Sequence, residues 1–267
     1  MGQCLLDRRL LISSIPTLNL ELWLNAGKIN GLSNGDSISL WEDKSGNGRN
    51  ATQSASSYQP LYKTNIKNGK PAVYFDGTND YLSISGSSSS LKFLHSDKST
   101  IFLVAQAGFS ADPNITMAFM DSSGGSWGNI GYSVSYTDVS AYSYNNRFTL
   151  EVANSISTNR VDWQYQDNVL TPNSMHIIKV VGDMTNSTAA NRSSIEIDGM
   201  ALTSLNSQAG APSTSNSSYD IVIGTSANLF AYLYGYICEL IIYSRNLSAN
   251  EISKVETYLS SKYAISL

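Results

Sequence analysis

Short runs of alternating apolar and polar residues recur through most of this chain, each closed by a cluster of Gly, Asn, Asp or Ser, and the alternation stops only near the C-terminus. Leu20, Leu22 and Leu24 share one face of the first clear run, and Glu21, Trp23 and Asn25 share the other, because successive side chains of a strand point to opposite sides. Further strands are predicted at 38–41, 72–75, 81–84, 100–106, 116–120, 131–136, 142–150, 176–182, 194–198, 220–223 and 235–243. Many short strands separated by turn residues predict a sandwich or barrel. At 267 residues the chain can bury a sizeable core and still form one all-β unit. Residues 85–90 and 207–218 are Ser-rich and are predicted to be polar loops.

One helix is predicted at the end. Ser248 and Glu251 have capping-box spacing, in which each side chain satisfies the other's backbone N–H. Ile252, Val255, Tyr258, Leu259 and Tyr263 then recur at helical intervals, so one stripe can pack on a sheet.

Two segments carry a family resemblance. Trp41-Glu42-Asp43-Lys44-Ser45-Gly46-Asn47-Gly48-Arg49-Asn50, followed by Tyr74-Phe75-Asp76-Gly77-Thr78-Asn79-Asp80-Tyr81-Leu82, resembles the opening of laminin G-like, concanavalin A-like jelly rolls. The last strand and helix, from Gly235 to Ile265, resemble the end of such modules in phage and bacterial surface proteins. The resemblance implies a two-sheet antiparallel β-sandwich with one C-terminal α-helix over residues 20–267. Residues 1–19 lie outside it and are expected to form an arm or first strand.

Composition excludes some functions. Charged residues are few (14%), the net charge is −4 and no run of Lys or Arg provides the footprint of a nucleic-acid binder. No stretch is long and apolar enough for a membrane span. Met1-Gly2-Gln3-Cys4 suggests acylation, but Leu6 stands where the myristoylation pattern wants Ser or Thr, and Asp7, Arg8 and Arg9 interrupt any signal-like apolar segment. Cys4 and Cys238 are too few for a disulfide framework, and Cys238 reads as a small buried hydrophobe.

Catalytic patterns are sparse. Glu196-Ile197-Asp198 matches two thirds of the Glu-x-Asp-x-x-Glu strand that glucan-cleaving enzymes of this fold resemble, but the third carboxylate is missing, and Asp198-Gly199 reads as a hairpin turn. His95 and His176 have no metal-ligand spacing, no Gly-x-Ser-x-Gly elbow occurs, and Asp121-Ser122-Ser123-Gly124-Gly125-Ser126 reads as a surface loop. Since relatives of the resembled fold bind calcium through rim oxygens, Asp43, Asp76, Asn79 and Asp80 are candidate ligands, with turn capping as the competing role. Apart from that calcium, no cofactor is expected.

A binding surface is more legible. Trp127, Tyr132, Tyr136, Tyr142, Tyr144, Asn145 and Arg147 combine rings that can stack on sugars or partner proteins with amides and a guanidinium that can bond hydroxyls. The competing reading places the tyrosines in the core. The resemblance, together with the missing catalytic set, leads us to expect a non-enzymatic virion surface protein: a phage capsid decoration, head fibre or tail component. It would assemble with other virion proteins or itself and touch host glycans. The alternative is a secreted carbohydrate-binding or adhesion domain; a glycoside hydrolase is the remote one.

Overall fold

The computed structural model describes residues 15–108, 114–124, 128–139, 144–155, 160–203 and 209–267. The strands are β1 (Leu20–Asn25), β2 (Leu40–Trp41), β3 (Ala51–Thr52), β4 (Leu61–Lys67), β5 (Lys70–Asp76), β6 (Leu82–Ile84), β7 (Lys98–Ala107) and β8 (Asn114–Asp121). They continue as β9 (Ile130–Val139), β10 (Tyr144–Asn154), β11 (Asp162–Gln166), β12 (His176–Asp183), β13 (Ser193–Ile197), β14 (Met200–Ala201), β15 (Ile221–Ile223) and β16 (Tyr234–Tyr243). Two antiparallel sheets result. One runs β14-β13-β12-β7-β16-β5-β4, with β1 also on β16; the other runs β11-β10-β9-β8-β15-β6-β3-β2. The predicted sandwich is therefore the observed one. β3, β4, β11 and β14 went unread in the sequence, and residues 87–90, predicted as loop, form a helical turn, α1 (Ser87–Ser90), followed by α2 (Phe93–Ser96).

The main core fills the space between the sheets, and Leu22, Leu24, Phe75, Leu103, Tyr132, Tyr136 and Ile242 belong to it. A second core lies between the outer face of the first sheet and the C-terminal helix α3 (Ala249–Tyr263), where Phe102, Ile241 and Tyr243 meet Val255, Leu259 and Tyr263. Burying those three helix side chains contributes about 2 kcal/mol each. The capping box forms as predicted, and Arg245 grips Glu251 through two hydrogen bonds of 2.9 and 2.6 Å. Residues 1–14 of the expected arm lie outside the described residues, as does Cys4; Ile15 packs in the helix-side core.

β16 organises both cores through a bulge. Ile237 pairs with Ala105 and Glu239 with Val104, so Cys238 is an extra residue. Ile237, Leu240 and Ile242 face the core between the sheets, and Cys238, Ile241 and Tyr243 face the helix. The bulge turns Glu239 to the helix side as well, where strict alternation would have sent its carboxylate into the sandwich. Cys238 is fully buried and its thiol is pushed up to about 12, chiefly by burial and then by Glu239, so it is inert.

Candidate functional site

The second sheet presents a trough on its outer face. Tyr132, Val134 and Tyr136 point inward, so Ser133, Ser135 and Thr137 between them point outward. Strand register then sets three rows across the sheet. Thr116, Thr137 and Arg147 form one; Ala118, Ser135, Thr149 and Tyr165 the next; Asp121, Ser133, Glu151 and Trp163 the third. The β8 and β9 positions are mostly small, and the β11 positions are aromatic. The surface therefore dips at its centre and rises at its edge, enclosing about 330 Å³, within the roughly 300–1,000 Å³ usual for small-ligand sites.

The raised edge is held by stacked cations. The Arg147 guanidinium lies 4.0 Å from the centre of the Tyr165 ring and bonds Asp167 in a fork of 2.6 and 3.0 Å. Arg160 lies 4.5 Å from the Trp163 ring centre and pairs with Glu151 at 2.8 Å. The two rings are 5.3 Å apart. Each cation is thus matched by a carboxylate, and the edge offers donors and acceptors with little net charge.

The opposite wall is the loop after β15. Ser226 Oγ accepts the N–H groups of Phe230 and Ala231, and Asp121 Oδ2 accepts that of Ala227 at 3.0 Å. This pins a loop from which Phe230 stands 86% exposed. Asp121, pushed up by burial, also accepts the N–H and O–H of Ser123 and the N–H of Gly124. Asp121, Ser122 and Ser123 are therefore buried, which corrects the expected surface loop there. On the floor, the hydroxyls of Ser133, Ser135 and Thr149 have no hydrogen-bond partner among the described residues, although all three residues line the recess.

Of the predicted site residues, Arg147 lies in this trough. Tyr132 and Tyr136 do not: both are 1% exposed in the core, so the competing reading holds for them and no ring face is left for a ligand. Tyr144 and Asn145 begin β10. Trp127 and Tyr142 lie outside the described residues. Trp163, Tyr165, Phe230, Glu151 and the floor hydroxyls were not identified from sequence.

The candidate calcium ligands act in turns. Asp43 accepts Trp23 N, Ser45 N, Ser45 Oγ and Arg49 N at 2.7–3.0 Å, tying the Gly-rich segment to β1. Asp76 caps its own turn through Thr78 N and Asn79 N, and Asp80 accepts Asp76 N. Burial, with help from Asp76, raises Asp80 to about 6. Among the described residues, no three His, Cys, Asp or Glu side chains converge to hold a metal. Asp43→Ala is expected to lower stability by about 1–3 kcal/mol, equally in calcium and in chelator when followed by urea unfolding. A loss confined to calcium-containing buffer would instead make Asp43 a metal ligand.

The Glu196–Asp198 segment is a hairpin. Ile197 pairs with Met200, and Asp198 and Gly199 take the turn with φ of 49° and 74°. Glu196 bonds Lys179. His176 Nδ1 donates to Asp198 Oδ2 at 2.6 Å, its Nε2 accepting Thr171 N. His95 Nε2 bonds Ser215 O.

No family model matches this sequence, and no match to a curated protein was found. Solved structures do match. The CBM40 domain of the Ruminococcus gnavus IT-sialidase, bound to alpha2,3 sialyllactose, superposes with a TM-score of 0.50 at 13% identity, covering 69% of this chain and 95% of that one. The binding domain of botulinum neurotoxin serotype D gives 0.58 at 13% identity, covering 90% of this chain and 52% of that one. The chain shares their β-sandwich fold. Trypanosoma rangeli sialidase gives 0.56 at 14% identity, and there the match spans 92% of this chain but only 33% of the other. At such identities the likeness is one of fold, and function has to be argued from the trough.

Proposed function

We propose that the protein is a non-catalytic carbohydrate-binding domain and that the trough on its second sheet takes the glycan. The observation that carries this reading is the set of unpartnered, recessed hydroxyls of Ser133, Ser135 and Thr149 beside the half-buried ring of Trp163. Buried polar groups seek partners, and a polyhydroxylated ring supplies donors and acceptors to the floor while presenting an apolar face to the indole. The paired Arg147–Asp167 and Arg160–Glu151 groups suit the same ligand, since each offers both kinds of hydrogen bond. Support also comes from the CBM40 neighbour, which is bound to alpha2,3 sialyllactose; sialylated glycans are thus the first class to test. On a virus particle or as a secreted protein, the same trough would serve attachment to surface glycans. The neighbours favour the carbohydrate-binding alternative over the virion reading, for which they give no support.

A glycan array with sialylated and neutral arms is expected to give saturable binding to a restricted set of structures. A flat array would overturn the reading.

A further inference from the structure

A second cavity, of about 670 Å³, lies on the other sheet beside α3. Behind its wall the carboxylate of Glu239 is 0% exposed and gathers five donors. Oε1 accepts Trp23 Nε1 at 2.6 Å, Asn25 Nδ2 at 3.1 Å and Tyr258 OH at 2.9 Å; Oε2 accepts Lys262 Nζ at 2.7 Å and Tyr263 OH at 2.8 Å. Lys262 directs its remaining N–H groups at Asn25 Oδ1 and Tyr258 OH, both at 3.0 Å. The side-chain polar atoms of Trp23, Asn25, Tyr258 and Lys262 are thus engaged with Glu239 or one another, and the rings of Trp23, Tyr62 and Tyr258 line the cavity together with Pro71.

The rim is different. Lys28 and Lys70 line the same cavity, are exposed, and have no ion-pair or hydrogen-bond partner among the described residues. Among the described residues that line the cavity there is no carboxylate. Glu239 balances Lys262, which leaves two uncompensated ammonium groups in a chain whose net charge is −4. A wall of rings favours a ligand with an apolar face, and two unpaired ammonium groups favour an anion attached to it.

We propose that this cavity is a second ligand site, taking an anionic sugar whose ring lies against Trp23 and whose carboxylate or sulfate is held by Lys28 and Lys70. The site shares no residue with the trough and does not depend on the trough binding glycan.

The test uses the full chain carrying Ser135→Leu, so that the trough is filled. Oligogalacturonate, a sulfated galactan oligosaccharide and the neutral galactan oligosaccharide are titrated calorimetrically and by tryptophan fluorescence. At least one acidic ligand is expected to bind and the neutral one not to, with affinity falling as salt rises. Binding by one acidic ligand alone identifies carboxylate or sulfate as the recognised group. The exposed double change Lys28→Ala/Lys70→Ala is expected to weaken that binding about tenfold or more, with thermal stability unchanged. Trp23→Phe is expected to abolish the fluorescence response. Equal binding of neutral and acidic ligands, no binding of any, or full affinity in the double variant would overturn the proposal. The glycan-array result on the parent chain is untouched by those outcomes.

Discussion

Replacing Glu239 by leucine is expected to lower stability by about 3–5 kcal/mol, the usual consequence of removing one partner from a buried ion pair. At a few degrees per kcal/mol this is a fall in melting temperature of roughly 10 °C. The loss is expected to be large because Glu239 gathers groups from three elements: Trp23 and Asn25 of β1, Tyr258, Lys262 and Tyr263 of α3, and its own strand at the centre of the sheet. Without the carboxylate, the half-buried Lys262 ammonium is left with only neutral oxygens. Burial already pulls that ammonium below the ordinary lysine range in spite of Glu239, so the uncompensated form is disfavoured further. Adding Lys262→Met to Glu239→Leu is therefore expected to recover a substantial part of the loss, because removing both charges removes the penalty of stranding one. Denaturant unfolding of the two variants checks this. A single variant as stable as the parent would show that the helix is held by apolar packing alone.

The architecture was legible because its signals are local and agree with one another. β7, β12 and β16 are long runs of β-branched and aromatic residues, and α3 carries both a capping box and an apolar stripe. The bulge at Cys238 was not legible. Tyr236-Ile237-Cys238-Glu239-Leu240-Ile241 reads as one uninterrupted core strand, and only pairing with β7 shows that Glu239 leaves the sandwich. β3 and β14 are two residues each, too short for any periodicity to register.

The site was less legible because its alternation is inverted. In β11 the inward residues are polar: Asp162 and Gln164 are buried, the amide of Gln164 donating to the Asp162 carboxylate and to Ser193 O, and Arg192 closes the same region by donating to Val161 O. Burial raises the Asp162 carboxyl, with Ser193, Gln164 and Arg192 opposing. Apolar-in, polar-out reasoning therefore finds no strand there, and Trp163 and Tyr165, which face outward, are passed over. On β9 the opposite error arises. Tyr132 and Tyr136 draw notice as possible sugar platforms, yet they obey ordinary alternation and fill the core, while the informative residues are the plain hydroxyls between them. The Asp43 and Asp76 motifs were visible as sequence, and their hydrogen bonds are those of turn caps.

Trp163→Ala is expected to weaken glycan binding by roughly thirtyfold, the equivalent of about 2 kcal/mol that a tryptophan at the centre of an interface commonly carries. The ring forms the raised edge of the trough, and its removal also takes away the surface on which Arg160 rests, so the single variant joins a direct loss to a loss of positioning. Ser135→Leu separates the two. Ser135 lies in the middle row between Ala118 and Thr149, and leucine there fills the floor and covers its unpartnered hydroxyls without touching the arginine stacks. Its binding is expected to fall below detection while its urea midpoint stays close to the parent's, because the side chain faces away from the core. Loss in both variants places the ligand in the trough over β9, β10 and β11. If both bind the array-selected glycan as the parent does, the glycan lies elsewhere on the protein.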